Sequence, residues 1–123
     1  MKGSAGNSQI IKISSVIESS GAIGEAGEVL LSGGAVAFPT ESFYGLAVNP
    51  MDEEAVNRLF KLKQREADQP ILILIPSLES LDAYAANIPE ISRTLIKKHW
   101  PGGLTILFKA MPCISYRLTA GTG

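Results

Sequence analysis

Apolar residues along this chain fall into short continuous runs and longer runs with helical spacing, and the two kinds alternate. Residues 10–13 (IIKI) form a brief strand-like run. Ser19 and Ser20 then offer N-caps for a helix carrying Ile23, Ala26, Val29 and Leu30 on one face, and Gly33 and Gly34 supply its stop. Residues 35–38 (AVAF) read as a buried strand that ends at Pro39. Residues 39–50 (PTESFYGLAVNP) have no helical period and are bracketed by prolines, so they predict a structured loop with an extended piece. Asp52 caps a second helix, with Glu53 and Glu54 in the first turn, where the helix dipole favours negative charge. Its apolar stripe is Ala55, Val56, Leu59 and Phe60. Residues 71–75 (ILILI) form a continuous run of strand length, suited to a sheet centre. Pro76 and Ser77 open a helix with Leu78, Leu81 and Ala85 on one side, and Ile88 and Pro89 open another with Ile91, Leu95 and Ile96. After the break at residues 100–103 (WPGG), residues 104–108 predict a strand, and beyond Ala110 the signal fades into loop.

Strands alternating with helices of this length predict a layered α/β domain, a twisted mixed sheet flanked by helices. Neither an internal repeat nor a linker divides the chain. Residues 1–9 (MKGSAGNSQ) are polar and read as a disordered tail, and residues 10–123 read as the domain. The closing Gly121-Thr122-Gly123 has no following strand or helix, so the domain is expected to be truncated at its C-terminal side. Composition adds exclusions. A formal charge of −1 sets the chain apart from strongly basic nucleic-acid modules, although Arg58, Lys61, Lys63 and Arg65 fall within eight positions. The single cysteine, Cys113, leaves no internal disulfide and, with no Cys/His cluster, no ligand set for zinc or another metal. No apolar run approaches the roughly 20 residues that span a bilayer. A cytoplasmic protein with no membrane partner is expected.

Three stretches look unlike ordinary core or turn. In Pro39-Thr40-Glu41-Ser42-Phe43-Tyr44, hydroxyl, carboxylate and phenol groups sit at the carboxyl end of a strand, where open α/β sheets place ligands. On an extended backbone Thr40 and Ser42 face the same way and Glu41 the other; the plain alternative is a Ser/Thr-rich turn with Glu41 solvated. In Lys61-Leu62-Lys63-Gln64-Arg65, a helix ending near Leu62 would leave Lys63 and Arg65 on one side of an extended segment. Together they would form a cationic pair suited to phosphate. The plain alternative is a solvated helix end whose cations complement the dipole. In Trp100-Pro101-Gly102-Gly103-Leu104-Thr105, two glycines let a backbone approach a ligand or simply make a tight turn. No P-loop and no G-x-S-x-G elbow occurs. His99 and Cys113 have no third group to make them a nucleophilic pair.

Taken in order, PTESFYGL, KLKQRE followed by Gln69-Pro70, and HWPGGLT resemble three signatures of the YrdC-like family, P-T-[DE]-[ST]-x-Y-G-L, K-x-R…[KN]-P and W-P-G-P-L-T. The resemblance runs from about residue 10 to residue 108. It implies an enzyme that condenses L-threonine, bicarbonate and ATP into threonylcarbamoyl-AMP and pyrophosphate. Partner proteins would pass the threonylcarbamoyl group to an adenosine of tRNA. Carried over by residue, it implies that Ser42 holds threonine, that Thr40 and Tyr44 shape that end of the pocket, and that Lys63 and Arg65 meet ATP phosphates. Gln69 would be a further nucleotide contact. Thr105, with the turn at Pro101, would line the cavity between the two substrates. Magnesium would bridge the phosphates, and Lys63 and Arg65 would supply the electrostatics of the transfer.

Two departures stand out. Gly103 replaces a second proline, and Leu74 stands where some relatives carry a histidine that touches threonine. The family's R-x-P strand and S-x-N motif are not found in the chain. A non-catalytic module of the same fold that binds tRNA or double-stranded RNA is the competing expectation, drawn from the basic cluster at residues 58–65. A carbamoyl-transfer domain of the hydrogenase-maturation type ranks behind both.

Overall fold

The computed structural model describes residues 8–15 and 19–123. Most of the expected disordered tail, residues 1–7, lies outside the described residues; Gln9 lies within them, and its side-chain amide donates to Glu25 at 3.3 Å.

Helices and short antiparallel pairs alternate along the chain. The elements are α1 (Ser19–Leu31), β1 (Val36–Pro39), β2 (Tyr44–Ala47), α2 (Glu53–Lys63), α3 (Leu81–Tyr84), β3 (Ala85–Ala86), α4 (Glu90–His99), β4 (Lys109–Ala110) and α5 (Tyr116–Thr119). β1 pairs with β2 in a register that sets Phe38 opposite Gly45 and Pro39 opposite Tyr44. β3 pairs with β4, Ala85 opposite Ala110. Among the described residues the expected sheet is thus present as two antiparallel ladders of two strands each.

α2 forms as its sequence dictates. Asp52 sits in the β region and its carboxylate accepts from the Ala55 N–H at 3.0 Å, satisfying a donor that the helix leaves open. Ala55, Val56, Leu59 and Phe60 are all buried. Asp52→Ala is expected to cost about 1 kcal/mol, read as a lower urea midpoint with an unchanged slope. α1 stops where Gly33 takes a positive φ of 83°, and the Arg58 guanidinium donates to the Gly33 carbonyl, tying that stop to α2. No residue of α1 is buried, and Ile23 is 66% exposed. Its apolar stripe therefore has the predicted spacing but is only partly covered, with Ala26 and Leu30 half-buried and Ile23 and Val29 exposed.

The core is split. Val56, Phe60 and Leu118 form one cluster, against which Val48, Ile71, Ile73 and Ile114 pack. Leu81, Ala85 and Ile96 form the other, with Ile75, Trp100, Ile106 and Phe108 around them.

Several strand and helix expectations are corrected. Residues 10–13, 71–75 and 104–108 carry no strand ladder, because none of them finds a partner strand among the described residues. The last two still alternate: Ile71, Ile73 and Ile75 turn inward while Leu72 and Leu74 are exposed, and Leu107 is 94% exposed between Ile106 and Phe108. The helix expected from Pro76 shrinks to α3, since Ala85 leaves it for an extended conformation (φ −112°, ψ 135°) and pairs with Ala110. Ahead of α3, its own backbone N–H and the Ser77 hydroxyl hold the Glu79 carboxyl below the usual carboxylate range. The expected loop beyond Ala110 contains α5, where Ser115 accepts from the Arg117 N–H at 3.2 Å and Leu118 is buried. No helix of the described residues is long and apolar enough to cross a membrane.

Candidate functional site: a hydroxyl turn, an anchored arginine and a tryptophan turn

The turn between β1 and β2 is organised by one hydroxyl. Thr40 Oγ1 accepts from the backbone N–H groups of Ser42 (3.3 Å) and Phe43 (3.2 Å) and donates to the Phe43 carbonyl. A backbone bond from Thr40 N–H to the same carbonyl, at 3.2 Å, closes the turn. Thr and Ser favour such local bonding over strand ladders. Ser42 Oγ lies 3.5 Å from Thr40 Oγ1, so the two hydroxyls do share a side, through a tight turn rather than an extended backbone. Ser42 is exposed, and Phe43 and Tyr44 project at 84% and 78% exposure.

The second stretch departs from its expected geometry. α2 runs on to Lys63, and Gln64 adopts the left-handed conformation (φ 50°, ψ 39°). Gln64 N–H then bonds the Lys61 carbonyl at 3.2 Å and Arg65 N–H bonds that of Phe60 at 3.0 Å, a paired closure that ends the helix. Lys63 and Arg65 therefore flank a helix cap and do not lie on one extended segment. Arg65 turns back on its own loop. Nε donates to the Gln69 carbonyl at 3.3 Å and Nη2 to that of Pro70 at 2.6 Å. Gln69 thus takes part through its backbone, and its side chain is exposed, as is that of Lys63.

Arg65 also lines a pocket of ≈ 440 Å³ with Asn57, Phe60, Lys61, Gln64 and Arg117. The Arg117 guanidinium lies 6.0 Å from the centroid of the Phe60 ring, within cation–π range. Asn57 Oδ1 is buried and has no hydrogen-bond partner.

In the third stretch, Trp100 caps α4 by donating its N–H to the Ile96 carbonyl at 2.8 Å, and its indole N–H donates to the Leu104 carbonyl at 2.7 Å. The Trp100–Pro101 bond is cis. A side chain on Gly102 would run into the His99 carbonyl, so glycine is needed there, whereas Gly103 faces open space. Pro101 and Thr105 are exposed.

The structure brings Thr40 together with Ser42, and Arg65 with Gln69 and Pro70. No hydrogen bond or ion pair among the described residues joins the hydroxyl turn, the Arg65 loop and the Trp100–Thr105 turn to one another. The cations that share the pocket with Arg65 are Lys61 and Arg117, and Lys63 is not among its lining residues. Arg117 was not singled out from the sequence, since its place depends on α5, a four-residue helix with no periodic signal. Among the described residues, no three His, Cys, Asp or Glu side chains cluster as metal ligands, and no acidic residue lines the pocket. The donor set therefore does not fit a protein-held magnesium ion.

Comparison with known proteins gives this arrangement its context. The family model Sua5_yciO_yrdC, described as telomere recombination, matches residues 28–123. A threonylcarbamoyl-AMP synthase of Pyrococcus abyssi is 45% identical over 86 residues, covering 70% of this chain and 25% of the relative. One from Bacillus subtilis is 37% identical over 100 residues, covering 80% of this chain and 29% of the relative. The crystal structure of P. abyssi Sua5 complexed with L-threonine superposes with a TM-score of 0.76 at 42% identity, covering 79% of this chain and 28% of that one. The chain thus spans about a quarter to a third of these relatives. The length and identity of these matches, together with a shared fold, place the chain in the Sua5/YciO/YrdC family.

Proposed function

We propose that this chain carries threonine- and nucleotide-contacting parts of a threonylcarbamoyl-AMP synthase. The observation that supports this most directly is the turn at Thr40–Tyr44, in a chain similar to a Sua5 protein solved with L-threonine. Because Thr40 spends its hydroxyl on the turn, Ser42 Oγ is the exposed hydroxyl left to meet an amino acid. Thr40 acts by holding that turn, and Tyr44 borders it across the ladder from Pro39.

The proposed reaction needs alignment and charge neutralisation more than a protein nucleophile. The amine of threonine adds to bicarbonate-derived carbon with loss of water, giving a carbamate. A carbamate oxygen then attacks the α-phosphorus of ATP, a P–O bond forms, and pyrophosphate leaves with the electrons of the bond it breaks. Arg65, pinned by two carbonyls, offers its remaining N–H donors to phosphate without reorganising, which is the form of electrostatic help that costs least at the moment of reaction. Lys63 adds a mobile charge nearby in sequence, Gln69 holds Arg65, and Pro101 and Thr105, on the turn that Trp100 fixes, would line the cavity between the two substrates. Magnesium would arrive on the nucleotide, held by phosphate. The product would pass to partner proteins that act on tRNA.

The test is pyrophosphate release from ATP in the presence of L-threonine and bicarbonate, with product identified by mass. Ser42→Ala is expected to raise the threonine concentration for half-maximal rate roughly tenfold, as the loss of one hydrogen bond implies, and to leave ATP dependence nearly unchanged. An unaltered threonine dependence would take Ser42 out of the site.

A further inference from the structure

Every residue from Pro39 to Tyr44 is exposed, so packing gives the hydroxyl turn little support of its own. The bonds that Thr40 makes among the described residues run to Ser42 and Phe43, inside the turn. They fix its shape and leave its aim to the β1–β2 ladder beneath it. Pro39 opposite Tyr44 ends that ladder, and Phe38 opposite Gly45 is the first pair below the turn in which both residues are half-buried. A glycine within a strand has no side chain to pack, and it marks a place where another group comes close. Here the other group is the Phe38 ring. A Cβ on Gly45 would lie 2.8 Å from Phe38 Cζ and 3.0 Å from Cε1, too close for either atom to stay where it is. The tip of the ring therefore lies across the ladder over the Gly45 backbone, a cross-strand contact of the kind that pins strands to one register. The two residues are complementary, since only a residue without Cβ leaves the ring its place.

We propose that Phe38 and Gly45 form a positioning pair for Ser42. The ring seated on Gly45 holds β1 and β2 at one separation at the base of the turn, and so sets where Ser42 Oγ stands. Neither residue is given a contact with substrate. The proposal rests on the threonine reading of the turn and adds to it the residues that aim the hydroxyl. A methyl group at position 45 would expel the half-buried ring, either by turning it toward solvent or by parting the strands. Either movement shifts the base of the turn, and a hydrogen bond weakens steeply as its distance and angle depart from the optimum. The Arg65 loop shares no hydrogen bond or ion pair with the turn among the described residues, so its geometry should not change.

The probe is L-threonine, titrated into the isotope-labelled chain and followed by amide NMR, with magnesium-ATP titrated in parallel. Gly45→Ala is expected to move the Ser42 and Phe43 amide signals before any ligand is added. It should weaken threonine binding roughly five- to tenfold, the worth of one hydrogen bond, and leave ATP affinity unchanged. Phe38→Leu removes the ring atoms that the added methyl meets, so the double variant should bind threonine more tightly than Gly45→Ala alone. A general loss of stability cannot produce that reversal, because two independent losses add. If Gly45→Ala does not fold, Phe38→Leu alone carries the test. It uncovers Gly45, and it should move the same two amides and weaken threonine binding with ATP affinity unchanged. Losses that add in the double variant, or equal losses of threonine and ATP affinity, would overturn the pair. The pair and the threonine reading fail separately. Unmoved Ser42 and Phe43 signals in Gly45→Ala, in a chain that binds threonine, sink the pair and keep the reading. Signals that move in Gly45→Ala and return in the double variant, in a chain whose wild type does not respond to threonine, keep the pair as the device that aims the turn and sink the reading.

Discussion

Phe60→Ala is expected to be the most damaging single truncation in this chain, at about 3–5 kcal/mol. Phe60 is 5% exposed and joins Val56 and Leu118 in one of the two small core clusters among the described residues. The ring touches three levels of the structure at once. It fills the space between α2 and α5, it gives Ile71 and Ile73 their inward surface, and it carries the Arg117 guanidinium. Alanine would leave a cavity that these short elements could close only by moving. A domain of ordinary size has about 5–15 kcal/mol of stability in total, and a core divided in two places this chain toward the low end. With a urea slope of about 1–3 kcal/mol/M, the midpoint should fall by more than 1 M in far-UV circular dichroism. Leu107→Ala is the matched control. That side chain is 94% exposed, and its removal should change stability by no more than about 0.5 kcal/mol. Equal losses from the two variants would mean that the α2–α5 cluster does not hold the fold together.

The same residues explain what could be read from the sequence and what could not. α2 was legible in full because every level agreed: a capping aspartate, two acids in the first turn, and an i, i+1, i+4, i+5 stripe that is buried. α1 was legible as a helix and not as a packed one, since periodicity reports a face and says nothing about what covers it. Residues 71–75 show the opposite limit. Five apolar residues in a row predict burial on both sides, yet Leu72 and Leu74 are exposed and only alternate positions enter the two clusters. α5 could not be foreseen because four residues carry too little pattern, and its place is fixed by the burial of Leu118 and by the Ile71 N–H bonding the Leu118 carbonyl at 3.0 Å. At the candidate site, motif spacing singled out Thr40, Ser42 and Arg65 but misjudged how they are held. The Thr40 turn arises from a side chain competing with the ladder for backbone donors. The cap after Lys63 needs a left-handed residue, and Gln64 supplies it where glycine would be the usual signal.

Arg65→Ala should weaken ATP binding by about ten- to a hundredfold, the range set by losing one hydrogen bond to a charged group at about 1.5–3 kcal/mol. The argument does not rest on charge alone. Arg65 spends two donors on the Gln69 and Pro70 carbonyls, so alanine also frees the loop that those bonds hold. A loss of roughly 1 kcal/mol in stability should accompany the loss of binding, contrary to what a purely surface cation would show. Arg65→Lys separates the two effects. It keeps a charge near the phosphates but cannot span two carbonyls with a planar fork, so it should restore part of the affinity and little of the stability. Lys63→Ala completes the set. Lys63 is exposed and has no place in the Arg65 pocket, so its loss should leave stability unchanged and cost binding only as much as one mobile charge contributes, several-fold at low salt and less at high salt. Calorimetric titration of the four proteins with magnesium-ATP, beside their urea midpoints, reads both quantities. If Lys63→Ala loses as much affinity as Arg65→Ala with no change in stability, the phosphates lie on the Lys63 side of the cap.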